Sequence, residues 1–121
     1  MNNEELVNLA GKSMGWIDYP TDSIEQGEYW HVDPVAAPFG QSFHKDEWTP
    51  LTDTRDAMVL IFKHSKKGML RLLVSEQSVV CYYNHDGVFV PVMFGYDDYS
   101  TREALCLAIT HAAAELGKLM K

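Results

Sequence analysis

The chain is short of the residues from which recognisable active sites are usually built. Only two of its 121 residues are cysteine, Cys81 and Cys106, and both sit inside apolar runs rather than at metal-ligand spacing. They read as buried free thiols in a reducing compartment, not as a disulfide. The glycines are isolated at turns and helix ends, so no glycine-rich loop exists to cradle a phosphate. No serine or threonine occupies a strained strand-to-helix elbow that would expose it as a nucleophile. No apolar run approaches the roughly 18 residues that a membrane span needs. The opening Met1-Asn2-Asn3-Glu4-Glu5 has neither the basic region nor the apolar core of a secretory signal.

Basic side chains are also scarce, 10 Lys and Arg against 17 Asp and Glu, for a net charge of −7. The deficit is confined to one half. Residues 1–56 hold 11 acidic and 3 basic side chains, whereas residues 57–121 hold 6 and 7. An acidic half repels phosphate backbones, so nucleic-acid binding is disfavoured. The acids are too dispersed to imitate DNA, and a solvated acidic surface that favours solubility accounts for them.

What the chain does have is apolar residues, 46% of the total, enough for one packed core in a single domain over 1–121. Three runs, Leu70–Val74, Ser78–Tyr83 and Val88–Phe94, are rich in branched and aromatic residues. Ser75-Glu76-Gln77 and Asn84-His85-Asp86-Gly87 separate them. This is the pattern of an antiparallel sheet joined by tight hairpins. Alternation is incomplete, so both faces of the sheet are apolar and both call for cover. Pro91 cannot donate to a ladder, which places the third strand at an edge or at a bulge.

Helices are predicted around this sheet. Residues 3–14 place Leu6, Val7, Leu9, Ala10 and Met14 on one stripe, with Asn2 as cap and Gly15 as exit. Residues 54–63 form a second helix, capped by Thr52 or Asp53, ended by lysines and Gly68, and apolar enough to be buried on most of its surface. Ser100 and Glu103 make a capping box for the third, whose Ala104, Ala108 and Ala112 permit close approach to the sheet. The predicted class is therefore α+β, a three-layer α/β/α sandwich with three main strands and one possible edge strand.

Between the first two helices, residues 16–47 form an aromatic and acidic insertion. All three tryptophans and 7 of the 14 aromatic residues fall between positions 16 and 48. Glu28–Val32 supplies an extra strand, at the sheet edge or in a local hairpin, with Gln41–His44 as a partner. Either these rings lid the core, or some stay exposed as rigid anchors for another protein.

Two segments resemble the phage ABA-sandwich domain family, small proteins of bacteriophages and prophages. One is Trp48-x-Pro50-Leu51-Thr52-Asp53-x-x-Asp56-Ala57 with the apolar helix that follows. The other is the ending, an aromatic and acidic turn and then Thr101-Arg102-x-Ala104-x-x-x-Ala108-Ile109-x-x-Ala112-Ala113-Ala114-Glu115-Leu116-Gly117. The resemblance implies an α/β/α sandwich in the bacterial cytoplasm and no particular reaction. Residues 16–47 are longer and more aromatic than the family's short connection.

The functional expectation is a non-enzymatic protein that binds a host or phage protein carrying a basic patch, without cofactor or metal. Tyr29, Trp30, Phe43 and Trp48 are the expected anchors, with Asp46 and Glu47 as the acidic component. The alternative is a metal- or small-ligand-binding protein or hydrolase built on His31, Asp33, His44 and Asp46, since residues two apart on a strand share a face. A further alternative is a homodimer that buries the apolar surplus of residues 57–62 or the sheet edge. His85-Asp86 needs no more explanation than a hairpin turn, and Asp97 with Asp98 suits the dipole of the oncoming helix.

Overall fold

The computed structural model describes residues 2–18, 29–31, 42–44 and 48–120. In chain order the elements are α1 (Asn3–Ser13), β1 (Ile17–Asp18), β2 (Tyr29–His31), β3 (Ser42–His44), α2 (Thr54–Ser65), β4 (Leu70–Val74), β5 (Ser78–His85), β6 (Val88–Gly95) and α3 (Thr101–Leu119).

Each helix begins where a side chain takes over an unpaired backbone N–H. The Asn2 side-chain Oδ1 accepts from the Glu5 N–H at 2.8 Å, and the Asp53 carboxylate accepts from the Arg55 and Asp56 N–H groups. Ser100 and Glu103 form the reciprocal capping box. Two helices end in the same way. At Gly15 (φ +83°) the Trp16 N–H returns to the Gly11 carbonyl and the Gly15 N–H to Lys12. At Gly68 (φ +68°) the Met69 N–H returns to His64 and the Gly68 N–H to Ser65. This paired closure needs a left-handed residue, which glycine adopts without steric cost.

β4, β5 and β6 form an antiparallel sheet in that order, so Pro91 lies on an edge strand, opposite Tyr82. The β5–β6 hairpin turns through Asp86 (φ +54°) and Gly87 (φ +86°), both left-handed, as a two-residue turn between twisted strands requires. Asn84 and His85, predicted within the turn, belong to β5 instead. The short strands β1, β2 and β3 make a second antiparallel sheet of their own. The extra strand is thus part of a local hairpin, and β1 joins it as a third member that the sequence did not signal.

The class is α+β, with helices packed against the sheet. Register places Leu70, Leu72, Val79, Cys81, Tyr83, Val92 and Phe94 on one face, and these join the core beneath α3. The His111 ring meets Phe94 with centroids 5.1 Å apart, and Ala104, Ala108 and Ala112 follow on the adjoining stripe of α3, all fully buried. The far side of α3 is equally buried, because α1 and α2 lie on it. Gly117 makes the α1 contact possible: a Cβ there would collide with the Leu9 carbonyl.

Of the cover predicted for both faces of the sheet, the described helices supply that of one. α3 is buried toward the sheet and on its reverse, leaving a half-buried strip at Leu107, His111 and Glu115, so α1 stacks behind it and α2 beside it, against β4. Among the described residues no helix reaches the other face. A second departure concerns α2, which buries Ala57, Leu60, Ile61 and His64 and leaves Val59 and Phe62 exposed, Phe62 by 63%. An uninterrupted apolar run on a helix necessarily covers more than the single stripe that the core can accept.

Candidate functional site

The uncovered face of the sheet is the main feature that the fold leaves unexplained. Reading across the strands, Leu73, Val80 and Met93 form one row, and Arg71, Tyr82 and Pro91 the next. Phe89, opposite Asn84, completes the face. Leu73 is 51% exposed and Met93 67%, while Val80, Tyr82 and Phe89 are half-buried. The Arg71 guanidinium stands over the Phe89 ring at 4.5 Å, a cation–π contact that fixes the one charged side chain that the three strands place on this face. Single exposed apolar residues are ordinary on a protein surface, but contiguous rows of them on a flat face mark contact sites.

The anchors predicted from sequence are placed unevenly. Trp48 is in the interior, 5% exposed. Its indole N–H donates to the Asp56 carbonyl at 3.2 Å, and its ring meets Trp16 edge-on with centroids 4.8 Å apart. The Asp56 carboxylate in turn accepts from the Thr49 N–H at 2.9 Å. Trp-x-Pro-Leu-Thr-Asp is thus a ring packed over a capped helix start, and Trp48 presents almost no surface to a partner. Trp30 and Phe43 are register partners in the small sheet, as are Tyr29 and His44, and His31 pairs with Ser42. Asp33, Asp46 and Glu47 lie outside the described residues, and with them half of the predicted His31, Asp33, His44, Asp46 cluster. Among the described residues no three or more His, Cys, Asp or Glu side chains converge on a possible metal position.

Reactive groups elsewhere are held in unreactive states. Cys81 is fully buried on β5, and burial pushes its thiol up to about 12, far from the thiolate that a nucleophile requires. Burial raises Cys106 as well, against the Thr54 hydroxyl at 3.9 Å. His85 and Asp86 stand 3.7 Å apart at an exposed hairpin tip.

One pair escaped the sequence reading. Ser13 Oγ lies 3.0 Å from His64 Nε2, both side chains buried, joining the last turns of α1 and α2. Fifty-one positions separate them, so no local signal links them. The Ser13 hydroxyl donates to the Ala10 carbonyl at 2.6 Å, and the imidazole N–H therefore donates to Ser13. A general base must instead accept the serine proton. Burial, then the nearby Lys63 and Lys67 ammonium groups, lower the His64 pKa to about 4. The pair is a neutral clasp between two helices. No protein-family model, no curated protein and no solved structure matches this chain.

Proposed function

We propose that the protein works by binding another protein through the open face of the β4–β6 sheet. The single observation behind this reading is the exposure of Leu73 and Met93, in rows with Val80, Tyr82 and Pro91, on a face that no described helix covers. An apolar patch of this kind gains free energy when a partner removes it from water, at about 25 cal/mol per Å². Aromatic residues and an arginine within it are the types that concentrate binding energy.

The partner we infer is a basic protein, drawn by the net charge of −7 of the whole chain, which also repels a second copy. The attraction does not come from the face itself, whose charged strand residue is Arg71. The resemblance of residues 48–63 and 97–120 to phage ABA-sandwich proteins supports the same reading, a small bacteriophage or prophage accessory protein acting on a host protein in the bacterial cytoplasm.

Capture from a bacterial lysate tests the surface. The wild-type chain is compared with Leu73→Ser/Met93→Ser and with Trp30→Ala/Phe43→Ala, each first shown to melt as a folded protein. The expected result is a basic protein, identified by mass spectrometry, whose affinity falls roughly tenfold or more in the Leu73/Met93 variant and weakens as salt rises. Loss confined to the Trp30/Phe43 variant moves the site to the small sheet. Capture unaffected by the Leu73/Met93 variant overturns the outer-face reading. Concentration-dependent sedimentation of the chain alone points to a homodimer instead.

A further inference from the structure

A second feature, remote from the outer face and independent of what it binds, lies where the three helices finish. An open cavity of about 480 Å³ sits between the ends of α1, α2 and α3. Its apolar side is made by Leu116, Leu119 and Met120 with Met69. Leu119 and Met120 are each more than two-fifths exposed there, apolar side chains left beside an unfilled space. Its polar side is made by Lys63, His64 and Lys67.

Among the described residues the ionic side chains of this polar side are all cationic, set beside the negative dipole ends of the three helices. Lys63 lies in the last turn of α2 and Lys67 in the turn just beyond its end, and their ammonium groups repel. Neither is within ion-pair distance of a carboxylate among the described residues, although the chain as a whole is acidic. Lys63 is not free to swing away, because its ammonium donates to the Met14 carbonyl at the end of α1. Burial, then Lys67, lower its pKa, the direction expected where negative charge is lacking. His64 adds no charge, since it is held neutral by burial and by the same two lysines.

Sites for small molecules are concave, of about 300–1,000 Å³, mainly apolar, with a few polar groups converging on one end of the ligand. This cavity has that size and that division. We propose that it binds a small anionic amphiphile, a carboxylate on an aliphatic tail, with the carboxylate between Lys63 and Lys67 and the tail along Leu116, Leu119 and Met120. The ammonium groups supply charge-assisted hydrogen bonds, and the tail covers apolar surface that the fold leaves wet.

The test uses the full chain, labelled with nitrogen-15 and titrated with decanoate below its micelle concentration, with decanol and decyltrimethylammonium as neutral and cationic comparisons. Saturable shifts are expected for decanoate at the amides of Gly15, Lys67 and Leu119, with weaker binding of decanol and none of the cation. Lys63→Gln/Lys67→Gln is expected to weaken decanoate by about tenfold or more, the loss associated with charge-assisted hydrogen bonds. Lys63 also holds the end of α1, so Lys67→Gln alone, at an exposed position, keeps the test valid should the double variant melt early; a several-fold loss is expected. Absence of saturable shifts, equal binding of all three probes, or shifts centred on Leu73 and Met93 overturns the proposal. None of these failures bears on whether the outer face binds a protein.

Discussion

His64 illustrates how one side chain ties pH to stability. Its imidazole is buried against Ser13 and flanked by Lys63 and Lys67, and its pKa in the folded chain is about 4 against an ordinary 6.5. Between those values the unfolded chain binds a proton that the folded chain refuses, so stability rises with pH across the window. The contribution is complete above pH 6.5 and lost as pH falls toward 4. At about 1.4 kcal/mol per unit, a shift of this size corresponds to at most about 3.5 kcal/mol, reduced by whatever solvent screens the ring. His111, lowered mainly by burial, adds to the same slope. Urea denaturation at pH 7 and pH 5 is expected to show the drop, and His64→Gln to flatten it. An equal drop in the variant assigns the slope to other groups. Nothing near His64 in the sequence announces this, because its partner is on another helix. The caps at Asn2, Asp53 and Ser100 were legible for the opposite reason: each bonds to a backbone N–H two or three residues ahead.

At the level of elements, α3 decides the architecture. It is small-sided almost all round, with Ala104, Ala108 and Ala112 toward the sheet and Gly117 against the backbone of α1. Gly117→Ala places a methyl group on the Leu9 carbonyl, and a backbone atom cannot step aside as a flexible side chain can. Overpacking of this kind costs about 1–3 kcal/mol, and more where backbone must move. The urea midpoint is expected to fall accordingly, while Lys118→Ala, one residue on and exposed, is expected to stay within about 0.5 kcal/mol of wild type. An unchanged midpoint in Gly117→Ala contradicts the close approach of α1 and α3. The rhythm of α3 was plain in the sequence, and so was its register against the sheet. That it would be buried on its reverse was not, since alanine is compatible with either environment. α2 posed the converse problem: residues 57–62 are all apolar, so the sequence cannot say which stripe is surplus, and Val59 and Phe62 prove to be it.

For the whole molecule, the consequence is that the described helices pack on one side of the sheet. The sequence makes β4, β5 and β6 apolar on both faces, which signals cover twice over, but one central helix with two more behind it provides cover once. Apolar pattern reports which residues avoid water, not whether the same chain or another molecule shields them. The outer face follows from that distinction, and so does the choice of site: Trp48, an anchor by residue type, is spent in the core, whereas Leu73 and Met93, unremarkable as types, stand in the open. The most direct test is solvent paramagnetic relaxation on the methyl groups of the isolated chain, with a soluble gadolinium chelate as probe. Strong broadening of Leu73 and Met93, beside sharp signals from Leu70 and Val79 on the opposite face, is the predicted result. Leu73 and Met93 protected to the same degree as Val79 would contradict the account.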